Sequence, residues 1–131
     1  MAKIEELIGE ATEYDKKQAV ETRRPKSWCK TISAFANTVG GSLIFGIADD
    51  DTVIGLANAE DDAEKISEII KTHISPIPDF ELHFCQTDEG KKLIVLIVHK
   101  GEETPYYYRA DGIIEAYIRL VMKVFLCLRQ T

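Results

Sequence analysis

The chain has 131 residues, enough for one domain with a core of its own. Sixteen Lys and Arg stand against 22 Asp and Glu, a formal net charge of −6. That balance excludes a bulk electrostatic pull toward phosphate, so any such attraction has to come from a local patch. Hydrophobic residues make up 45% and charged residues 29%, a globular balance rather than a disordered one.

No apolar run reaches the roughly 18 residues that a bilayer helix needs, so no membrane association is expected. The opening MAKIEELIGEATEYDKK lacks the apolar stretch of a signal peptide. Cys29, Cys85 and Cys127 are odd in number, with no CxxC pair among them. This argues against a structural zinc site and for a reducing, cytoplasmic compartment.

In chain order, residues 3–9 predict a short helix with Ile4, Leu7 and Ile8 on one face. A short strand is expected around Tyr14, and Arg23-Arg24-Pro25 interrupts any regular element. A helix follows from Lys26 to Thr38, with Trp28, Ile32, Phe35, Ala36 and Val39 as its buried stripe. Gly40-Gly41 stops it. The apolar run 42–47 suits a central strand covered on both faces. Asp49-Asp50-Asp51 turns the chain, and Thr52 to Leu56 is expected to return as a hairpin partner.

A second helix is predicted from Asp61 to Ile74, with Ile66, Ile69, Ile70 and Ile74 facing inward and acids crowding its first turn. Phe80, Leu82 and Phe84 alternate with Glu81, His83 and Cys85, the pattern of a strand with one wet face. Leu93 to Val98 completes a hairpin with it. Another hairpin is expected from Pro105–Arg109 and Ile113–Arg119 around Asp111-Gly112. The fold class is therefore α/β, in the mixed α+β sense: two main helices packed on a mixed, partly antiparallel sheet.

The stretch from Ile32 to Ile47, ISAFANTVGGSLIFGI, resembles the AFANT-GG-LLIGV signature of the Schlafen/AlbA-like domain. Val53-Ile54-Gly55-Leu56, Ile74-Ser75-Pro76, Pro105-Tyr106-Tyr107 and Ala116-Tyr117-Ile118-Arg119 resemble further islands of that family, in the same order. The resemblance covers about residues 5–120. It implies a domain over 1–120; the apolar run over 121–131 departs from the family pattern as an atypical tail, where Val121 to Leu128 could mediate self-association. The resemblance also implies a nucleic-acid-binding module, for DNA, of a prokaryotic transcriptional regulator. Asn37, Gly40, Gly41, Gly46 and Gly55 are the motif residues, read physically as punctuation of the backbone.

Two constellations carry possible chemistry. Lys16, Lys17, Arg23, Arg24, Lys26 and Lys30 lie within fifteen residues, with Glu21 the only acid among them. Arg24 and Lys26 stand at a helix start, where backbone N–H groups favour phosphate. Arg109 and Arg119 could extend the patch, and Tyr106, Tyr107 and Tyr108 could stack on bases where they are not core. The second set is Glu10, Asp15 and Asp49, with Asp50 as a substitute for the last. The Schlafen resemblance implies that such a trio would hold Mg²⁺ or Mn²⁺ for RNA cleavage, since hard cations take oxygen ligands. Outside that reading no cofactor is expected.

The family was formerly described as a divergent ATPase. The chain lacks a GxxxxGK[ST] loop, and Ser42 rather than Lys follows Gly41, so the usual phosphate cradle is missing. His73, His83 and His99 have no metal-ligand spacing, and Cys29 has no paired histidine to make it a nucleophile.

Overall fold

A computed structural model describes residues 14–119 and 125–129. The expected helix over 3–9 lies outside them. Pro25 starts the first described helix, α1 (Lys26–Asn37), with φ −66 and ψ −11. Its carbonyl accepts from the Trp28 and Cys29 N–H groups at 3.1 and 2.8 Å. The sequence stripe understates how deeply this helix sits. Trp28, Cys29, Thr31, Ile32, Ser33, Ala34, Phe35 and Ala36 are all buried, so α1 runs inside the molecule. Val39, read as the last residue of the stripe, lies past the helix end and is 62% exposed.

Strands β1 (Tyr14–Lys17), β2 (Gly41–Phe45), β4 (Phe80–Gln86) and β5 (Lys92–Val98) form one sheet in the order β1-β2-β5-β4. β1 runs parallel to β2 and the other pairings are antiparallel. Strands β3 (Ile74–Ser75), β6 (Tyr107–Ala110), β7 (Ile113–Arg119) and β8 (Phe125–Arg129) form a second, wholly antiparallel sheet in the order β3-β6-β7-β8. The mixed α+β class is as expected, but two sheets replace the single one. α1 touches β2 and β5 of the first sheet and β6 and β7 of the second. The main core joins both, with Trp28 set edge-on to Phe45 at 5.6 Å and Phe35, Ile32, Leu96 and Tyr117 buried around it.

The second helix, α2 (Ala59–His73), begins two residues earlier than expected because Asn58 caps it, accepting from the Asp61 N–H at 3.2 Å. Ile66 and Ile70 are fully buried. The β6–β7 hairpin turns at Asp111 and Gly112, both at positive φ (51° and 80°), as a tight two-residue turn requires.

Two expectations fail for local reasons. Thr52 to Leu56 does not return as a strand; only an isolated bridge joins Ile47 to Val53. The backbone explains it: Gly46 sits at φ 112, and its carbonyl takes both the Ile54 and Gly55 N–H groups at 2.9 Å. Leu56 N–H goes to Lys92 O instead. Donors spent this way cannot build a ladder. On β4, Glu81 and His83 face water as expected, but Cys85 is buried with Ile44, Leu93 and Val95 in a second apolar cluster on the outer face of the first sheet.

The helix and the second sheet are held together by side chains on α1. Asn37 Nδ2 donates to Tyr106 O and Tyr117 O, each at 3.0 Å, and its Oδ1 accepts from Tyr106 N–H at 2.6 Å. One turn earlier, Ser33 Oγ donates to Tyr106 O at 2.7 Å and accepts from Tyr117 N–H at 3.1 Å. After Asn37 the chain reverses at Gly40 (φ 80), where a Cβ would lie 2.8 Å from Val98 O. At Gly41 it would lie 2.6 Å from the Phe35 ring.

Asn37→Ala strands Tyr106 N–H away from water and is expected to cost roughly 2–4 kcal/mol in urea unfolding. Asn37→Asp keeps an acceptor for that N–H but faces two carbonyls with a carboxylate, so it should not restore stability. A second expectation concerns Glu81. Hydrogen bonds from His99 (2.5 Å) and then His83 (3.2 Å) hold its carboxyl below the ordinary glutamate value of 4.5. A depressed carboxylate contributes stability above its unfolded pKa and loses it as pH falls through the folded one. Glu81→Gln should therefore lower the stability plateau above about pH 4.5 slightly, the group being half exposed, and leave the acid end where Glu81 is protonated unchanged, so that the acid limb becomes shallower in a stability-against-pH curve.

Candidate nucleic-acid interface

The loop between β1 and α1 is short and fixed. Glu21 organises it: its Oε1 accepts from the N–H groups of Arg23 (2.9 Å) and Arg24 (3.3 Å), and its carbonyl accepts from Trp28 Nε1 at 2.8 Å. Because Trp28 is locked in the core, the backbone of Arg23 and Arg24 is anchored while both side chains stay exposed at the start of α1. Neither arginine has a side-chain partner among the described residues. A cation on a rigid backbone loses less freedom when it meets a phosphate than one on a mobile loop.

The other cations of the cluster divide. Lys16, on β1, pairs with Asp51, whose hydrogen bond raises the lysine pKa. Lys26 Nζ reaches Glu115 Oε1 at 3.0 Å; Glu115 is 2% exposed and also accepts from Tyr117 OH at 3.1 Å. These two charges are already paired within the chain. Lys17 closes β1, half-buried, and its carbonyl accepts from Gly46 and Ile47. Lys30 lies on α1, half-buried. Arg109 is exposed on β6, where it lines a groove of about 540 Å³ with Lys71, Ile77 and Ile113; Arg23, Arg24, Lys26 and Lys30 are not among the residues lining it. Arg119 ends β7, opposite Phe125 of β8.

Two of the three tyrosines proposed for stacking point into the core. Tyr106 is 4% and Tyr108 5% exposed, Tyr108 lying against the His73 ring at 6.1 Å. Tyr107 alone is half-buried, on the other face of the second sheet. Cys29 is fully buried and desolvation pushes its thiol pKa up, the opposite of a reactive cysteine.

Of the carboxylates, Glu10 lies outside the described residues. Asp15 is on β1 and accepts from the Lys16 N–H at 2.8 Å, and Asp49 sits in the loop after β2. Asp50 accepts from Thr52 N–H, and its hydrogen bonds to Thr52 lower its pKa. Among the described residues no three His, Cys, Asp or Glu side chains converge as a metal site. Sequence reading missed Glu115 altogether. Its only signal was a lone acid at an alternating strand position, which normally faces water.

Residues 10–123 match the Schlafen, AlbA_2 family. The chain belongs to that family. A solution NMR structure from Nitrosomonas europaea is similar to it: the N-terminal domain of a protein named as RecG-related, after an ATP-dependent DNA helicase. The two share 24% identity and a TM-score of 0.65, over 92% of this chain and 90% of that one. The likeness is one of fold. In this Schlafen, AlbA_2 domain the tail over 125–129 pairs with β7 of its own chain as the edge strand β8. No helix among the described residues is long and apolar enough to cross a membrane.

Lys26→Met leaves the buried Glu115 carboxylate with less compensation and is expected to lower stability by roughly 1–3 kcal/mol. Lys26→Met/Glu115→Met should regain part of that loss, because the charge that needed a partner goes with it. A double-mutant cycle in urea measures both.

Proposed function

We infer that this Schlafen, AlbA_2 domain binds nucleic acid through the surface formed by Lys17, Arg23, Arg24 and Lys30, and that it serves as the DNA-binding module of a cytoplasmic transcriptional regulator. The observation that carries the reading is the pair Arg23 and Arg24, exposed and without acid partners among the described residues, on a backbone anchored by Glu21 and Trp28. Family membership supports a nucleic-acid-related role. A net charge of −6 is compatible with such a local patch, since Asp51 and Glu115 are matched by lysines while, among the described residues, the two arginines meet no acid.

Contacts of this kind go to phosphates, so affinity is expected to depend on salt more than on sequence. Fluorescence anisotropy on duplex DNA and hairpin RNA across a salt series tests it. Arg23→Ala/Arg24→Ala should weaken binding at low salt and reduce the slope of log K against log salt by about 1.8 on duplex DNA, if each arginine neutralises one phosphate. An unchanged slope, or no binding by the parent at low salt, overturns the proposal. The same series with Mn²⁺ or EDTA examines the alternative trio: metal-dependent cleavage of RNA, lost in Asp15→Asn and Asp49→Asn, would replace binding with catalysis as the domain's work.

A further inference from the structure

β4 is the last strand of its sheet, and its outer edge has no neighbouring strand among the described residues. The ladder with β5 fixes which backbone groups face that edge. His99 N–H donates to Asp79 O at 3.0 Å just before the strand, and Thr87 N–H donates to Lys91 O at 2.9 Å just after it. Both contacts continue the register in which Phe80 pairs with Val98 and Gln86 with Lys92. Hydrogen-bonded pairs alternate along an antiparallel ladder, so Glu81, His83 and Cys85 turn their peptide groups toward β5. Phe80, Leu82, Phe84 and Gln86 turn theirs to the free edge. Edge strands commonly carry a lysine, a proline or a bulge that discourages further pairing. Phe80–Gln86 has none of these along its seven residues. Its apolar side chains Phe80, Leu82 and Phe84 pack against the main core yet are only half-buried.

We propose that β4 pairs with β4 of a second copy of this chain, antiparallel and centred on Leu82, joining the two four-stranded sheets into one continuous sheet. The strand is its own complement in that register. Leu82 meets Leu82, and Phe80 of each copy meets Phe84 of the other, on the face that packs against the core. These are hydrogen-bonded positions, so the pairing uses the peptide groups that β5 leaves outward. On the opposite face, Glu81 of each copy stands across from His83 of the other. Within one chain Glu81 already accepts from His83 at 3.2 Å and from His99 at 2.5 Å, which holds carboxylate and imidazole together on that face. Opposite groups directly across a strand pair stabilise it, and like charges there oppose it. Neighbouring registers lose this match. Centring on His83 sets imidazole against imidazole, and centring on Glu81 sets carboxylate against carboxylate. The two-fold pairing uses up the edge, so assembly closes at two copies. One strand pair is a small contact, so the dimer is weak and depends on concentration. The contact uses none of Lys17, Arg23, Arg24 or Lys30, and it stands independently of nucleic-acid binding.

Sedimentation of the full chain from about 10 μM to about 1 mM is expected to show monomer passing to dimer. Glu81→Lys sets a cation across from His83, and His83→Glu sets a second carboxylate across from Glu81. Each variant alone should dimerise about tenfold or more weakly than the parent. Mixed in equal amounts, the two should regain the dimer. In the mixed pair the introduced lysine faces the introduced glutamate, and the remaining His83 faces the remaining Glu81. Both side chains lie on the wet face of β4, so neither change enters the core. Should either variant lose the parent's circular dichroism, Glu81→Gln and His83→Gln are read instead, and each should still weaken the dimer. A parent that stays monomeric at the highest concentration overturns the proposal. So does a dimer equally tight in the variants, or a mixture of the two charged variants that associates no better than either alone.

Discussion

The arrangement depends on two polar side chains, Ser33 and Asn37, of a largely buried helix. α1 is buried between two sheets, so each polar group it carries must find a partner or cost the full desolvation of that group. Ser33 and Asn37 sit one turn apart and reach the same two backbone positions, Tyr117 of β7 and Tyr106 just before β6. Hydrophobic packing alone would let a helix slide along a sheet. Five directed hydrogen bonds to fixed peptide groups do not. Everything at the other end of α1 inherits that placement: Lys26 arrives beside Glu115 of β7, and Pro25, Arg24 and Arg23 follow outward from there.

The charge balance makes sense once this is in view. Lys16 and Lys26 look equivalent to Arg23 and Arg24 when counted along the chain. In space they are not, because Asp51 and the buried Glu115 take the two lysines. Arginine at the exposed positions and lysine at the paired ones also fits their chemistry. The guanidinium fork matches phosphate oxygens, while a compact ammonium suits a single carboxylate. Glu21, the one acid within the cluster, spends its carboxylate on backbone N–H groups rather than on a guanidinium, so it shapes the surface without neutralising it.

Periodicity made both helices and most strands legible, including β1 and the Asp111-Gly112 hairpin, since apolar spacing and turn residues act within a few positions. What it could not show was any property set by partners far along the chain. The partition into two sheets depends on pairings such as Ile74 with Tyr108 and Gly41 with Val98. The burial of Glu115 depends on Lys26, 89 residues away. The Thr52–Leu56 segment reads as a strand by composition, yet Gly46 at positive φ diverts its donors. For the candidate site, the sequence named the cations but not which of them were already paired. Of the tyrosines, it left open which ones the second sheet turns inward.

The residues that carry the family resemblance each have a structural cause. Asn37 ties helix to sheet, Gly40 reverses the chain where a side chain would strike Val98 O, and Gly41 lies against the Phe35 ring. Gly46 and Gly55, both at positive φ, form the bulge that ends β2. A motif so fully occupied with folding explains why the family is recognisable and why recognition alone says little about chemistry. Selection for the fold accounts for these positions without any ligand. The β1–α1 loop differs from these motif positions: Arg23 and Arg24 are exposed on an anchored backbone, so a change of either side chain alters the surface without entering the core.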